Sequence, residues 1–156
     1  MVELEKATFG AGCFWHVEHA FGQVKGVKST SVGYMGGSLK NPTYHDVCTD
    51  KTGHAEVVQV IFDPKIASYR SLLDLFWKIH DPTTPNRQGP DLGTQYRSAI
   101  FYHNLKQKEQ SLQSKRDAQE KFLNKIVTEI KKASDFYIAE EYHQKYFEKG
   151  NFRCNI

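Results

Sequence analysis

Ala7-Thr8-Phe9-Gly10-Ala11-Gly12-Cys13-Phe14-Trp15-His16-Val17 reads as a short strand that ends in a glycine-rich turn and passes directly into a helix. The helix follows from spacing, because Phe14, Val17, Phe21 and Val24 fall on one 3.6-residue stripe. Beyond it, Val27 to Tyr34 is rich in β-branched residues and closes at Gly36-Gly37, as a second strand would. A polar loop reaches about Gly53, and Ala55 to Phe62 is apolar on both faces, the pattern of a central strand stopped by Asp63-Pro64. Ser68 then caps a helix carrying Tyr69, Leu72, Leu73, Phe76 and Ile79 at helical period, which ends near Asp81-Pro82.

A second long loop, Thr83 to Thr94, precedes a strand at Tyr96 to Tyr102. Asn104 with Gln107 forms a capping box for a charged helix reaching about Leu123. A strand at Ile126 to Ile130 and a short final helix near Ala139 to Phe147 complete the reading. The order β-α-β-β-α-β predicts an α+β fold, a ferredoxin-like split βαβ core with long functional loops and a C-terminal extension. At 156 residues the chain fits one domain, residues 1–156. Loops as long as these two, inside a compact domain, are usually functional.

Composition excludes several classes. Lysine plus arginine number 21 against 18 acidic residues, a balance too even for a nucleic-acid surface. The basic residues from Lys106 to Lys121 alternate with acids, as on a solvated helix face. No segment is apolar enough to span a membrane, and Met1 to Lys6 lacks a secretory pattern, so a cytoplasmic location and no membrane partner are expected. A monomer is expected. Three cysteines without a CxxC pair argue against a disulfide scaffold or structural zinc, leaving a reactive thiol or inert buried ones.

Cys13 stands where the first strand meets the first helix, and the unpaired N–H groups and positive dipole end found there favour a thiolate. The same residue also fits as a small core side chain beside a turn. Trp15 falls opposite the apolar stripe and suits a ligand wall, whereas Phe14 fits either a ligand wall or the edge of the core. Glu56 shares a strand face with Val58, Val60 and Phe62, where desolvation would keep its carboxyl protonated as a general acid, unless it reaches solvent or His54. Tyr44 and Tyr96 supply phenolic donors beside strands, and Asp91, flanked by Gly89, Pro90 and Gly93, is equally compatible with a turn.

Four segments in order, Gly12-Cys13-Phe14-Trp15, Asn41-Pro42-Thr43-Tyr44 to Cys48, Thr52-Gly53-His54-Ala55-Glu56 and Asp91 to Ser98, resemble the A-type peptide methionine sulfoxide reductases over nearly the whole chain. The resemblance implies reduction of the S epimer of methionine sulfoxide, free or in proteins, without a cofactor or metal. It implies that Cys13 attacks sulfur, Glu56 gives the proton, Tyr44 and Tyr96 bond the oxygen, Phe14 and Trp15 hold the methyl group, and Asp91 orders the site. It further implies that Cys154 resolves the Cys13 sulfenic acid and that a thioredoxin-like dithiol reduces the disulfide. Three features depart from the common pattern: His16 replaces a usual glycine, His45 follows Tyr44, and the chain stops two residues after Cys154. A three-thiol relay is then either absent or recruits Cys48, which is expected to be a buried packing residue.

Two other readings compete. Cys13, His16 and His19 recur at three-residue spacing, and His45, Cys48 and His54 share a loop, as in a metal-binding module, yet no fourth ligand is evident. A non-catalytic binder of oxidised methionine would use the same pocket without turnover.

Overall fold

Strand β1 (Glu5–Ala11) leads through the Gly12 turn into helix α1 (Phe14–Gly22), and β2 (Val27–Met35) follows. A short helix α2 (Tyr44–Cys48) interrupts the first long loop before β3 (Ala55–Phe62) and α3 (Tyr69–Lys78). The second loop holds a small hairpin, β4 (Arg87–Gln88) with β5 (Asp91–Leu92), and one 3₁₀ turn at Thr94–Tyr96. Strand β6 (Ser98–Tyr102), helix α4 (Leu105–Gln119), β7 (Glu129–Lys132), β8 (Tyr137–Ile138) and a 3₁₀ turn at Glu141–His143 complete the computed structural model, which describes residues 3–147 and 149.

The main sheet runs β7-β6-β1-β3-β2-β8. Its inner four strands, β6-β1-β3-β2, are mutually antiparallel in the order a split βαβ unit demands, and α1 and α3 are the two crossovers. At one edge β7 joins β6 in parallel; at the other, β8 pairs with β2 through Gly33 and Ile138. No helix among the described residues is long and apolar enough to cross a membrane.

Period-2 alternation on β1 and β3 sends Phe9, Val58, Val60 and Phe62 to the helix side, where they meet Phe21 of α1 and Leu72, Leu73 and Phe76 of α3. Phe9 stacks on Phe21 with centroids 4.9 Å apart and lies 5.4 Å from Phe76. On the opposite face a smaller cluster of Met35, Ala55, Val57, Ala99 and Phe101 is covered by Ala133 and Phe136.

Several boundaries differ from expectation. The charged helix ends at Gln119 because the next turn frays at Lys121 and Phe122 and Leu123 projects into water. Asn104 caps it by accepting the Gln107 N–H, but the box does not close: the Gln107 side chain accepts from His103 N–H and donates to the Lys6 carbonyl. The strand expected at Ile126 starts instead at Glu129, since the Ile126 and Val127 amides bond the Gln119 side chain and the Pro82 carbonyl. No α-helix forms at Ala139 to Phe147, only the 3₁₀ turn at Glu141–His143. Gln144 spends its side chain on the Val32 amide and carbonyl, and Lys145 adopts φ +53°, which breaks any helix.

His80 fastens the end of α3 to β6. Its Nδ1–H donates to the Phe76 carbonyl at 2.7 Å and its Nε2 lies 2.7 Å from the Ser98 hydroxyl. Burial, only partly opposed by Phe76 and Asp81, lowers its pKa to about 4. The unfolded chain therefore takes up the proton first as pH falls, and this contribution to stability is intact above about 6.5 and lost toward 4. Urea unfolding at pH 7 and at pH 4 should show roughly 2–3 kcal/mol less acid sensitivity in His80→Gln than in wild type; equal pH slopes would contradict the assignment.

Candidate active site

Cys13 is the N-cap of α1, and its carbonyl accepts from the His16 and Val17 amides at 3.2 and 3.4 Å. Its half-buried side chain therefore stands at the positive end of the helix. The turn requires Gly12, whose φ is +96° and whose missing Cβ would lie 2.8 Å from Gln88 Cγ. Gln88 is itself buried, accepting from the Asp81 amide and donating to the Asp81 carbonyl, each at 2.8 Å. It braces the second long loop against the cysteine turn, a role that nothing in its local sequence announces.

Glu56 lies inside the protein, 1% exposed, on the face of β3 that carries Val58, Val60 and Phe62. Its Oε1 accepts the Phe14 N–H at 3.3 Å, so the carboxyl group sits at the same helix terminus as Cys13. It does not reach toward His54, whose ring nitrogens are engaged by the Gly37 amide at 3.0 Å and the Leu39 carbonyl at 2.7 Å.

The two long loops deliver their tyrosines to this carboxyl. Thr43 and Asp46 close a capping box that starts α2 at Tyr44, and Tyr96 ends the 3₁₀ turn beside Arg97, which Glu129 holds at 2.8 Å. Burial first, then the charge of Glu56 and the Tyr96 phenol, raise Tyr44 far above the ordinary phenol range. Burial and the charge of Glu56 likewise raise Tyr96. Both remain protonated donors. Asp91 is half-buried on β5, with its pKa raised by desolvation against the opposing pull of His16, and its charge is felt by both His16 and Tyr96.

The expected location of Cys48 is corrected. It is exposed at the C-terminal end of α2, because the polar loop coils into a helix whose buried side is Val47. Its thiol interacts with the Tyr44 phenol, and partial desolvation holds its pKa up. Cys154 lies outside the described residues. Among the described residues no three His, Cys, Asp or Glu side chains gather as a metal site.

A strap formed by residues 139–147 supplies partners that the sequence reading missed. Glu140 accepts the Tyr34 hydroxyl at 3.0 Å and the Tyr44 amide at 2.9 Å, fixing the start of α2. His143, fully buried, accepts the Trp15 indole N–H at Nδ1 over 2.9 Å and packs against Phe14 and Tyr44. Burial lowers its pKa against the opposing charge of Glu140, which suits a neutral acceptor. Tyr146 stacks on Trp15 at 3.8 Å with planes 7° apart. Phe14, Trp15 and Tyr44 are thus gathered into one aromatic cluster around His143 beside Cys13.

Gly12→Ala should lose roughly 1–3 kcal/mol, from the left-handed backbone and from overpacking against Gln88. Urea unfolding measures it, and an unchanged midpoint would contradict the brace.

In sequence and overall fold the chain is similar to known proteins. Residues 5–155 match the family model described as peptide methionine sulfoxide reductase. Over 155 residues the chain is 64% identical to the peptide methionine sulfoxide reductase MsrA of Methanosarcina acetivorans, covering 98% of this chain and 82% of that one. The reduced form of Mxr1 from Saccharomyces cerevisiae superposes with a TM-score of 0.90 at 41% identity, over 94% of this chain and 86% of the other. Mxr1 in complex with Trx2 aligns at a TM-score of 0.67 and 29% identity, over 92% and 85%. The chain belongs to the peptide methionine sulfoxide reductase family, oxidoreductases that use a thiol to reduce methionine S-sulfoxide.

Proposed function

We propose that residues 1–156 act as one reductase domain, a cytoplasmic monomer that repairs methionine S-sulfoxide, free or in proteins, with Cys13 as nucleophile and Glu56 as acid. The observation that carries the reading is the 3.3 Å bond between the buried Glu56 carboxyl and the amide of Phe14, the residue next to Cys13. A sulfoxide has an electrophilic sulfur, an oxygen that leaves poorly until protonated, and a small apolar methyl group. Cys13 attacks the sulfur from the helix N-terminus, and Glu56, whose charge burial disfavours, protonates the oxygen. Tyr44 and Tyr96 donate hydrogen bonds to that oxygen as charge builds on it. Phe14 and Trp15 wall the methyl group, and Asp91 orders the site.

The sulfoxide and the Cys13 thiol give methionine and a Cys13 sulfenic acid: sulfoxide sulfur is reduced by two electrons and the thiol sulfur is oxidised by two. The Cys154 thiol then condenses with the sulfenic acid, forming an S–S bond and releasing water. Chain reach supports this step. Phe147 rests on His16 and His19, edge to face at 5.3 and 5.5 Å, one and two turns along the helix that Cys13 caps. The seven residues from Phe147 to Cys154 span at most about 25 Å when extended. A thioredoxin-like dithiol, with a potential of about −270 mV, then exchanges with the disulfide and carries away its oxidation. The complex of the related Mxr1 with Trx2 supports that choice of reductant.

Each resolved epimer of methionine sulfoxide, offered with dithiothreitol, tests the reaction. The S epimer should be reduced by wild type and not by Cys13→Ser, and residual turnover above a few per cent would move the nucleophile elsewhere. Cys154→Ser should release one methionine per enzyme and fail to recycle with thioredoxin. Mass mapping after one equivalent of substrate should find a Cys13–Cys154 peptide, whereas a Cys13–Cys48 peptide would assign resolution to the exposed thiol of α2.

A further inference from the structure

Glu18 is a buried acid that the chemistry above does not use. It lies on α1 one turn after Trp15, 3% exposed, and both of its oxygens are committed to the strap and to β2. Oε1 accepts the Lys145 main-chain N–H at 2.7 Å. Oε2 accepts the Thr30 hydroxyl at 2.9 Å and faces the Lys145 ammonium at 3.3 Å. That ammonium also donates to the Thr30 carbonyl at 2.8 Å and to the Thr30 hydroxyl.

The grip falls on a residue whose backbone needs it. Lys145 has φ +53°, a left-handed conformation that side chains other than glycine avoid, and the reversal there turns the chain back over α1. Tyr146 and Phe147 consequently land on Trp15 and on His16 and His19, and the Lys149 amide turns back to the Lys145 carbonyl at 3.0 Å, so the last described residue hangs on the gripped one.

We infer that Glu18 is a positioning residue for the resolving step, gripping Lys145 and so fixing the anchor from which the chain continues to Cys154. The inference rests on the reading of Cys154 as the resolving thiol. The chemistry is unchanged: the sulfenic acid and the Cys154 thiol give the Cys13–Cys154 disulfide and water. Glu18 alters how often the two sulfurs meet, because a directed tether raises their effective concentration. The first half-reaction is insulated from this role, since the Trp15 indole keeps its own hydrogen bond to His143.

The test gives reduced protein one equivalent of methionine S-sulfoxide without reductant, quenches in time, and measures methionine release, trappable sulfenic acid and the Cys13–Cys154 disulfide. Glu18→Ala should release methionine at the wild-type rate and form the disulfide about tenfold or more slowly, the effect of losing charge-assisted hydrogen bonds. Glu18→Gln, which keeps an acceptor for the Lys145 amide, should resolve within about threefold of wild type. Disulfide formation at the wild-type rate in Glu18→Ala, or methionine release that falls in step with it, overturns the inference. If Glu18→Ala does not fold, Lys145→Met, which removes only the ammonium, must show the same split in the same direction, and equal slowing of both steps overturns the inference. A wild-type protein that never forms the Cys13–Cys154 disulfide overturns the resolving role of Cys154, and this inference with it.

Discussion

Glu56 carries a carboxyl group into the helix-covered face of the sheet, and a charge cannot stay there without partners or a proton. Its neighbours answer that constraint. The N-terminus of α1 supplies the Phe14 amide, Tyr34 lies directly opposite on β2, and the Tyr44 and Tyr96 phenols are held as donors by the same burial. Because Gly10 comes within 3.3 Å of the Glu56 and Arg97 carbonyls at an ideal Cβ position, β1 passes this point without a side chain. Cys13 therefore meets the carboxyl at one fixed end of a helix, with its position set by the turn that Gly12 permits and Gln88 closes.

Around that centre the strap works as a second frame. Glu140 orients the entry to α2 and hence Tyr44, His143 holds Trp15, and Gln144 pairs with Val32 as a strand would, satisfying backbone groups of β2 with a side-chain amide. The same segment packs against Phe14, Trp15 and Tyr44, and Lys145 within it is the residue that Glu18 grips. The bonds from Glu18 to Lys145 are separate from the His143 bond that holds Trp15.

Periodicity made the core legible. The stripe on α1, the Ser68 cap and the two-sided burial of β3 are local patterns, and they lead to the β6-β1-β3-β2 order. Glu56 was legible for the opposite reason, as a charge that violates the period-2 pattern of its own strand. Tyr44, Tyr96 and Asp91 gained roles only through resemblance, because their neighbours come from other loops. The strap escaped the reading altogether. Its fixing bonds join Lys145 to Glu18, Gln144 to Val32 and His143 to Trp15, each more than 100 residues apart in sequence, and a helical reading of Ala139 to Phe147 carries no trace of them. Cys48 was misplaced because the Thr43-x-x-Asp46 capping spacing precedes no apolar run and passes for loop, whereas it nucleates a short helix and turns its last residue outward.

The central claim is that the Glu56 carboxyl supplies the proton that lets the sulfoxide oxygen leave. Single-turnover release of methionine from excess reduced enzyme, compared among wild type, Glu56→Gln and Glu56→Asp, tests it most directly, since no recycling step intervenes. The account predicts a loss of roughly 10²–10⁴-fold in Glu56→Gln with the fold intact, and partial recovery of the rate in Glu56→Asp, which restores an acid at a longer reach. Release at the wild-type rate in Glu56→Gln would contradict it.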